Sequence, residues 1–175
     1  GNGVNNMYET GIIEITDARY PRTLQNALSK LTLSQGVKKL YYKGTFNEAL
    51  FANCLAVVGS RRLTQYGQKA TLQLVGELAA AGVTIVSGFM YGGDKAAHEA
   101  ALAGGGKTIA VMPCGINLVH PAGQEALYQR ILDKGGLIIS EYEDTNQPQT
   151  YTYIQRDRIV AGLSKAVFVI EASLN

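Results

Sequence analysis

The side chains best suited to hold an anionic ligand fall into four short segments. Gly59-Ser60-Arg61-Arg62 follows an apolar run and precedes a helical pattern. Gly59 permits a tight turn and close backbone approach. Ser60 offers a hydroxyl, and Arg61 can grip a phosphate with two donors or lie flat on a base. The amides that open the following helix favour an anion. The same residues also read as a turn glycine with two solvated arginines. The segment is neither G-x-G-x-x-G nor a Walker loop, so no dinucleotide or ATP site is indicated. A second segment, Ser87-Gly88-Phe89-Met90-Tyr91-Gly92-Gly93-Asp94, puts three glycines at another strand end. Ser87 and Gly88 expose backbone there, and Tyr91 is placed either to stack on a base or to sit partly buried. Asp94 reads as the N-cap of the next helix. Asp94 and His98, four residues apart, read as a pair on that helix's surface and are too few for a metal site.

The third segment is Met112–Gly123. Gly115 sits where backbone can approach a ligand, and His120-Pro121 forms a turn. The lone His120 has no visible partner for acid–base work. Cys114 reads as strand-end packing, because no Cys-His-Asn/Asp set accompanies it. The fourth segment is Arg156-Asp157-Arg158. Arginines at i and i+2 of a helix point apart, so one is expected to reach a groove while the other pairs with an acid; an ion pair alone accounts for them equally well. Glu141, Glu143 and Asp144 supply carboxylates whose spacing specifies neither metal nor hydrolytic chemistry. These residues therefore predict binding, with no catalytic residue, no metal ligand and no cofactor.

Such loops need a scaffold that gathers them. Residues 55–58, 83–86, 108–111, 137–139 and 166–170 are short, β-branched and almost continuously apolar, as strands covered on both faces are. Helical patterns separate them. Residues 67–81 carry Leu72, Val75 and Ala79 on one stripe with Leu74 and Leu78 beside it, and Gly82 ends that helix. Further helices are expected over 94–103, 124–134 and 154–163. This alternation predicts an α/β, doubly wound, mainly parallel sheet whose ligands bind at the carboxyl ends of the strands. Residues 1–50 read as an N-terminal extension packed on the sheet, with a helix near 22–30, and residues 51–175 as the principal domain. Residues 1–6 are expected to be flexible.

The chain has 175 residues, 46% of them hydrophobic and 17% charged, with a net charge of +2. A core is affordable, long disorder is not expected, and any positive site must be local. The two cysteines, Cys54 and Cys114, lack metal-type spacing and read as reduced thiols of a cytoplasmic protein. No segment reads as a signal peptide or a membrane span.

Taken in order, Tyr20-Pro21-Arg-Thr-Leu24, Leu40-Tyr-Tyr-Lys-Gly44, Val57-Val-Gly-Ser-Arg-Arg62, Tyr66-Gly67, Ala81-Gly-Val-Thr-Ile-Val-Ser-Gly88, Gly93-Asp-Lys-Ala-Ala-His98, Lys107-Thr-Ile-Ala-Val111 and Arg156-Asp-Arg-Ile-Val-Ala-Gly-Leu-Ser164 resemble the DprA/Smf family of DNA-processing proteins. The resemblance runs from about Tyr20 to Ala172. It implies a Rossmann-like domain that binds single-stranded DNA, loads a RecA-type recombinase in natural transformation or recombination, and forms homodimers without being an enzyme. By position it implies that Gly59, Ser60, Arg61, Ser87, Gly88, Gly115 and Arg156 or Arg158 line the DNA groove. The chain departs from the family's pattern at Tyr91, where a basic residue is usual, at Ala122, where a lysine is usual, and at Asp157, where an asparagine is usual. The first two remove charge from the expected groove, which implies weaker or altered DNA binding. The family continues past Glu171-Ala-Ser-Leu-Asn175 with a further turn, helix and strand, so the C-terminal end is expected to be incomplete. The alternative is a nucleotide-binding or nucleotide-hydrolysing enzyme of the related LOG type, but the Pro-Gly-Gly-x-Gly-Thr loop of that group has no counterpart here. A non-catalytic sensor of a small nucleotide would use the same groove.

Overall fold

A computed structural model describes residues 7–30 and 36–171. The opening residues 1–6 and the tail after Glu171, on which two of the expectations fall, lie outside the described residues. Strands β1 (Thr10–Glu14), β2 (Lys39–Gly44), β3 (Cys54–Gly59), β4 (Thr84–Ser87), β5 (Thr108–Val111), β6 (Leu137–Ser140) and β7 (Ala166–Ile170) alternate with helices α1 (Arg22–Leu28), α2 (Gln65–Ala80), α3 (Gly93–Ala103), α4 (Glu125–Asp133) and α5 (Thr150–Gly162). The strands form one sheet in the order β1-β2-β6-β5-β4-β3-β7. Pairing is parallel from β6 to β7 and antiparallel at β1–β2 and β2–β6. The N-terminal segment does more than pack on the sheet, because it contributes two of its strands.

Successive strand residues point to opposite faces, and the cores follow that alternation. Ala56, Val86, Ile109, Val111, Leu137 and Ile139 face a core completed by Leu24, Leu28, Ile159 and Val160 of α1 and α5. Their neighbours Val57 and Ile85 face Val75 and Ala79 of α2 and Ala97, Ala100 and Ala101 of α3. Ala110 and Ile138 face Leu127, Ile131 and Leu132 of α4. Burial on both faces is why β3 to β6 read as unbroken apolar runs. The chain steps from β3 through β4 and β5 to β6 in one direction, then crosses with α5 to β7 on the far side of β3. The strand order therefore reverses between β3 and β7, the place where doubly wound sheets open a crevice.

Three local expectations change. The packed face of α2 is Gly67, Thr71, Val75, Gly76 and Ala79, whereas Leu72, Leu74 and Leu78 are exposed. The reason is close helix packing: a Cβ on Gly104 would lie 2.3 Å from the Gly76 carbonyl oxygen, so small residues, not leucines, must line this contact. Among the described residues, strand β7 stands at the end of the strand order with Val167 and Val169 exposed, whereas the apolar run suggested cover on both faces. Helix α5 begins at Thr150, earlier than its weak apolar periodicity suggests. The Thr152 hydroxyl, accepting from the Gln149 N–H at 2.8 Å, ties down its first turn.

Candidate nucleic-acid interface

The loops at the carboxyl ends of β3 and β4 are joined by a glycine contact. Gly59, the last residue of β3, and Gly93, the first of α3, lie back to back: a Cβ on Gly93 would fall 2.5 Å from the Gly59 Cα. The Gly93 N–H donates to the Ser60 carbonyl at 2.9 Å, stapling the first loop to the second. The Ser60 hydroxyl turns inward to the Arg62 carbonyl. This staple leaves Arg61 and Arg62 exposed, their side chains with no hydrogen bond or ion pair among the described residues. Together with Val58, Val169 and Glu171 the loop lines a crevice of about 550 Å³ at the point where the strand order reverses.

The amides that open α2 are less available than the sequence suggests. The Glu171 carboxylate accepts from the Thr64 N–H at 3.0 Å and from the Thr64 hydroxyl. Those bonds hold its carboxyl below the usual range. An internal anion therefore already sits at this helix terminus.

The second loop is mostly buried structure. The Ser87 side chain is fully buried and donates to the Val57 carbonyl at 2.6 Å. Gly88 is wedged between the Arg156 guanidinium and the Asp94 carboxylate; each would lie 2.5 Å from a Cβ placed there. Asp94 is not the N-cap of α3. Gly92 occupies that position, while Asp94 is buried in the first turn and accepts from the Met90 N–H at 3.1 Å. Burial holds its carboxyl above the usual range, against the pull of Arg156. His98 is fully buried rather than on the surface. Its Nε2–H donates to the Gly88 carbonyl at 2.6 Å, and its Nδ1 shares the Thr108 hydroxyl with the Ile85 carbonyl. Burial pushes the ring's pKa down to about 4, so it is neutral at pH 7. Tyr91 alone in this loop presents a large exposed side chain, and its hydroxyl donates to the Ala122 carbonyl at 2.5 Å.

Gly115 and the two arginines of α5 all have protein partners. Gly115 is buried, and the close approach it permits is to the Asp144 backbone, 2.5 Å from where a Cβ would stand, rather than to a ligand. Arg158 forms a two-point ion pair with Glu141 at 2.7 and 2.6 Å, so its charge is already matched. Arg156 is only 4% exposed; it donates to the Val111 carbonyl at 2.9 Å and to Asp157 at 3.0 Å, with its guanidinium 5.6 Å from the Tyr153 ring centre. Cys114 is buried and its thiol is pushed up to about 11, which suits packing.

Tyr153 and His120 were not singled out together by the sequence, yet the structure pairs the Tyr153 hydroxyl with His120 Nε2 at 2.5 Å. Arg61, Arg156 and Tyr91 all act electrostatically on the Tyr153 phenol, whose pKa burial raises. The usable signal was the i, i+3 spacing of Tyr153 and Arg156, which puts them on one helix face. Behind this wall, Gln124 donates to the Phe89 carbonyl at 2.7 Å and keeps its buried Oε1 unpaired among the described residues. The surface thus offers exposed guanidinium groups beside aromatic rings, a combination suited to a polyanion carrying flat bases. No group of three or more His, Cys, Asp or Glu side chains suited to a metal occurs among the described residues. None of the described helices is long and apolar enough to cross a membrane.

Residues 11–175 match the family model of DNA recombination-mediator protein A. Protein Smf of Escherichia coli is 42% identical over 135 residues, which is 77% of this chain and 36% of the relative. The chain belongs to the DNA recombination-mediator protein A (DprA/Smf) family. Two solved structures share its Rossmann-like fold. DNA processing protein A from Streptococcus pneumoniae superposes with a TM-score of 0.82 at 36% identity, covering 95% of this chain and 56% of that one. The protein of the same name from Helicobacter pylori, described for its single-stranded DNA binding mode, gives 0.76 at 31% identity, covering 94% and 70%. The chain spans about a third to a half of the length of the curated DprA/Smf relatives it matches.

Proposed function

We propose that the strand-end surface of this chain binds single-stranded DNA, and that the chain serves as the DNA-binding part of a cytoplasmic recombination mediator in DNA uptake. One observation carries the reading: the Arg61 and Arg62 side chains are exposed and, among the described residues, without protein partners beside the crevice at the carboxyl ends of β3 and β7, with Tyr91 and Tyr153 nearby. The arginines meet phosphates, and Tyr91 takes a base on its ring face. Stacking contributes about 1–3 kcal/mol per base, and each neutralised phosphate of a single strand adds about 0.7 to the salt slope. Ser60, Ser87, Gly88 and Gly115 shape the loops that carry these groups. A homodimer and delivery of the strand to a RecA-type recombinase complete the role that family membership suggests.

Titration of a fluorescent oligo-dT with the protein and with Arg61→Ala, at low and moderate salt, tests the site. Salt-sensitive binding that Arg61→Ala weakens about tenfold is expected. Absence of binding by the folded, unsubstituted protein would overturn the reading, as would an Arg61→Ala variant that binds unchanged.

A further inference from the structure

Arg156 is charged, lies at the proposed site and is nevertheless withdrawn from solvent, with 4% of its surface exposed. Two of its five N–H donors are committed to protein: one on NH1 to the Val111 carbonyl at the end of β5, and Nε–H to Asp157. The guanidinium also packs against Gly88 at the end of β4, across from Asp94, and lies over the Tyr153 ring. It therefore touches the ends of two neighbouring strands and a ring on α5 at once. That ring is in turn hydrogen-bonded to His120 in the loop after β5. Withdrawing the NH1 donor from the Val111 carbonyl would leave a buried acceptor unpaired.

We infer that Arg156 is a positioning residue: its guanidinium fixes the Gly88 and Val111 strand ends and the Tyr153–His120 wall relative to one another, and so sets the shape of the surface without contacting the nucleic acid. The inference rests on the DNA-binding reading of that surface, but its geometry is testable apart from it. A planar fork is required, because a lysine ammonium cannot satisfy Val111 and Asp157 while lying over a ring.

Three measurements on Arg156→Gln and Arg156→Lys decide the matter. Amide hydrogen exchange, read without DNA, should quicken in residues 88–92 and 112–120 in both variants while β3 keeps its protection. Exchange unchanged in those loops would overturn the inference whether or not the protein binds DNA. In oligo-dT titrations both variants should lose about tenfold in affinity with the salt slope unaltered, whereas Arg61→Ala should lower the slope by about 0.7. A slope that falls in Arg156→Gln as it does in Arg61→Ala, with affinity restored by Arg156→Lys, would make Arg156 a phosphate contact instead. A double-mutant cycle with Tyr153→Ala should be strongly non-additive; additivity would reduce Arg156 to general stability.

Discussion

Four arginines stand near the same end of the sheet, and their surroundings divide them. Arg61 and Arg62 sit on a loop stapled from beneath, so the backbone is held while both guanidinium groups stay in water. Arg156 and Arg158, on α5, are drawn inward. One caps a strand end and lies over a ring, and the other is locked to Glu141. The lesson is that residue type marks the neighbourhood of the site, while burial and partner decide the task. A guanidinium buried among protein groups or locked to a carboxylate has less left for a ligand; one held up in solvent keeps its full capacity.

That contrast can be broken in order of expected effect. The deepest cut is at the staple beneath the exposed arginines. Gly93→Ala drives a methyl into the Gly59 backbone, where neither side can yield, and should cost about 3–4 kcal/mol in chemical denaturation. Next comes the buried polar layer, tested by acid. His98 has a folded pKa of about 4 against an ordinary 6.5, so the neutral ring contributes its full stability above pH 6.5, and that contribution is lost as pH falls towards 4. The gap is worth about 3 kcal/mol. Denaturation midpoints should drop across that window, and NMR should show the His98 ring still neutral, with its proton on Nε2, at pH 5.

Smaller effects sharpen the comparison between the arginines themselves. Arg158→Ala leaves Glu141 largely buried and unmatched, and should cost about 2 kcal/mol of stability. Glu141→Ala should cost a similar amount, and the double substitution less than the sum. At the other extreme, Arg61→Ala should change stability by less than about 0.5 kcal/mol, since no group among the described residues loses a hydrogen-bond or ion-pair partner. If Arg61→Ala destabilised the fold as much as Arg158→Ala, the division drawn between exposed and committed arginines would fail.

Much of the framework was legible in the residues. The apolar runs at 83–86, 108–111 and 137–139 coincide to within a residue with strands buried on both faces, and that pattern has few other readings. At β7 the same pattern goes with exposed Val167 and Val169 among the described residues, because a run of five apolar residues does not say where its strand stands in the sheet order. The leucines of α2 misled for a related reason. The face that packs is the one whose small residues let α3 approach, and its closeness is set by Gly76 and Gly104, which a hydrophobicity pattern ignores. At the site, the glycine-arginine loop could be recognised locally. The pairing of Tyr153 with His120, and the occupation of the α2 terminus by Glu171, join residues 33 and 107 positions apart.

By itself, then, the sequence determined a parallel sheet with its loops gathered at one end, a short list of residues fit to hold an anion, and family membership. These follow from local runs, spacings and ordered motifs along the chain. Only the tertiary structure decided which arginines are free to bind, which glycines face protein rather than ligand, and that Asp94 and His98 are interior groups. Each of those outcomes depends on partners brought together by strand order and helix crossing, and on the cost of burying a polar group without one.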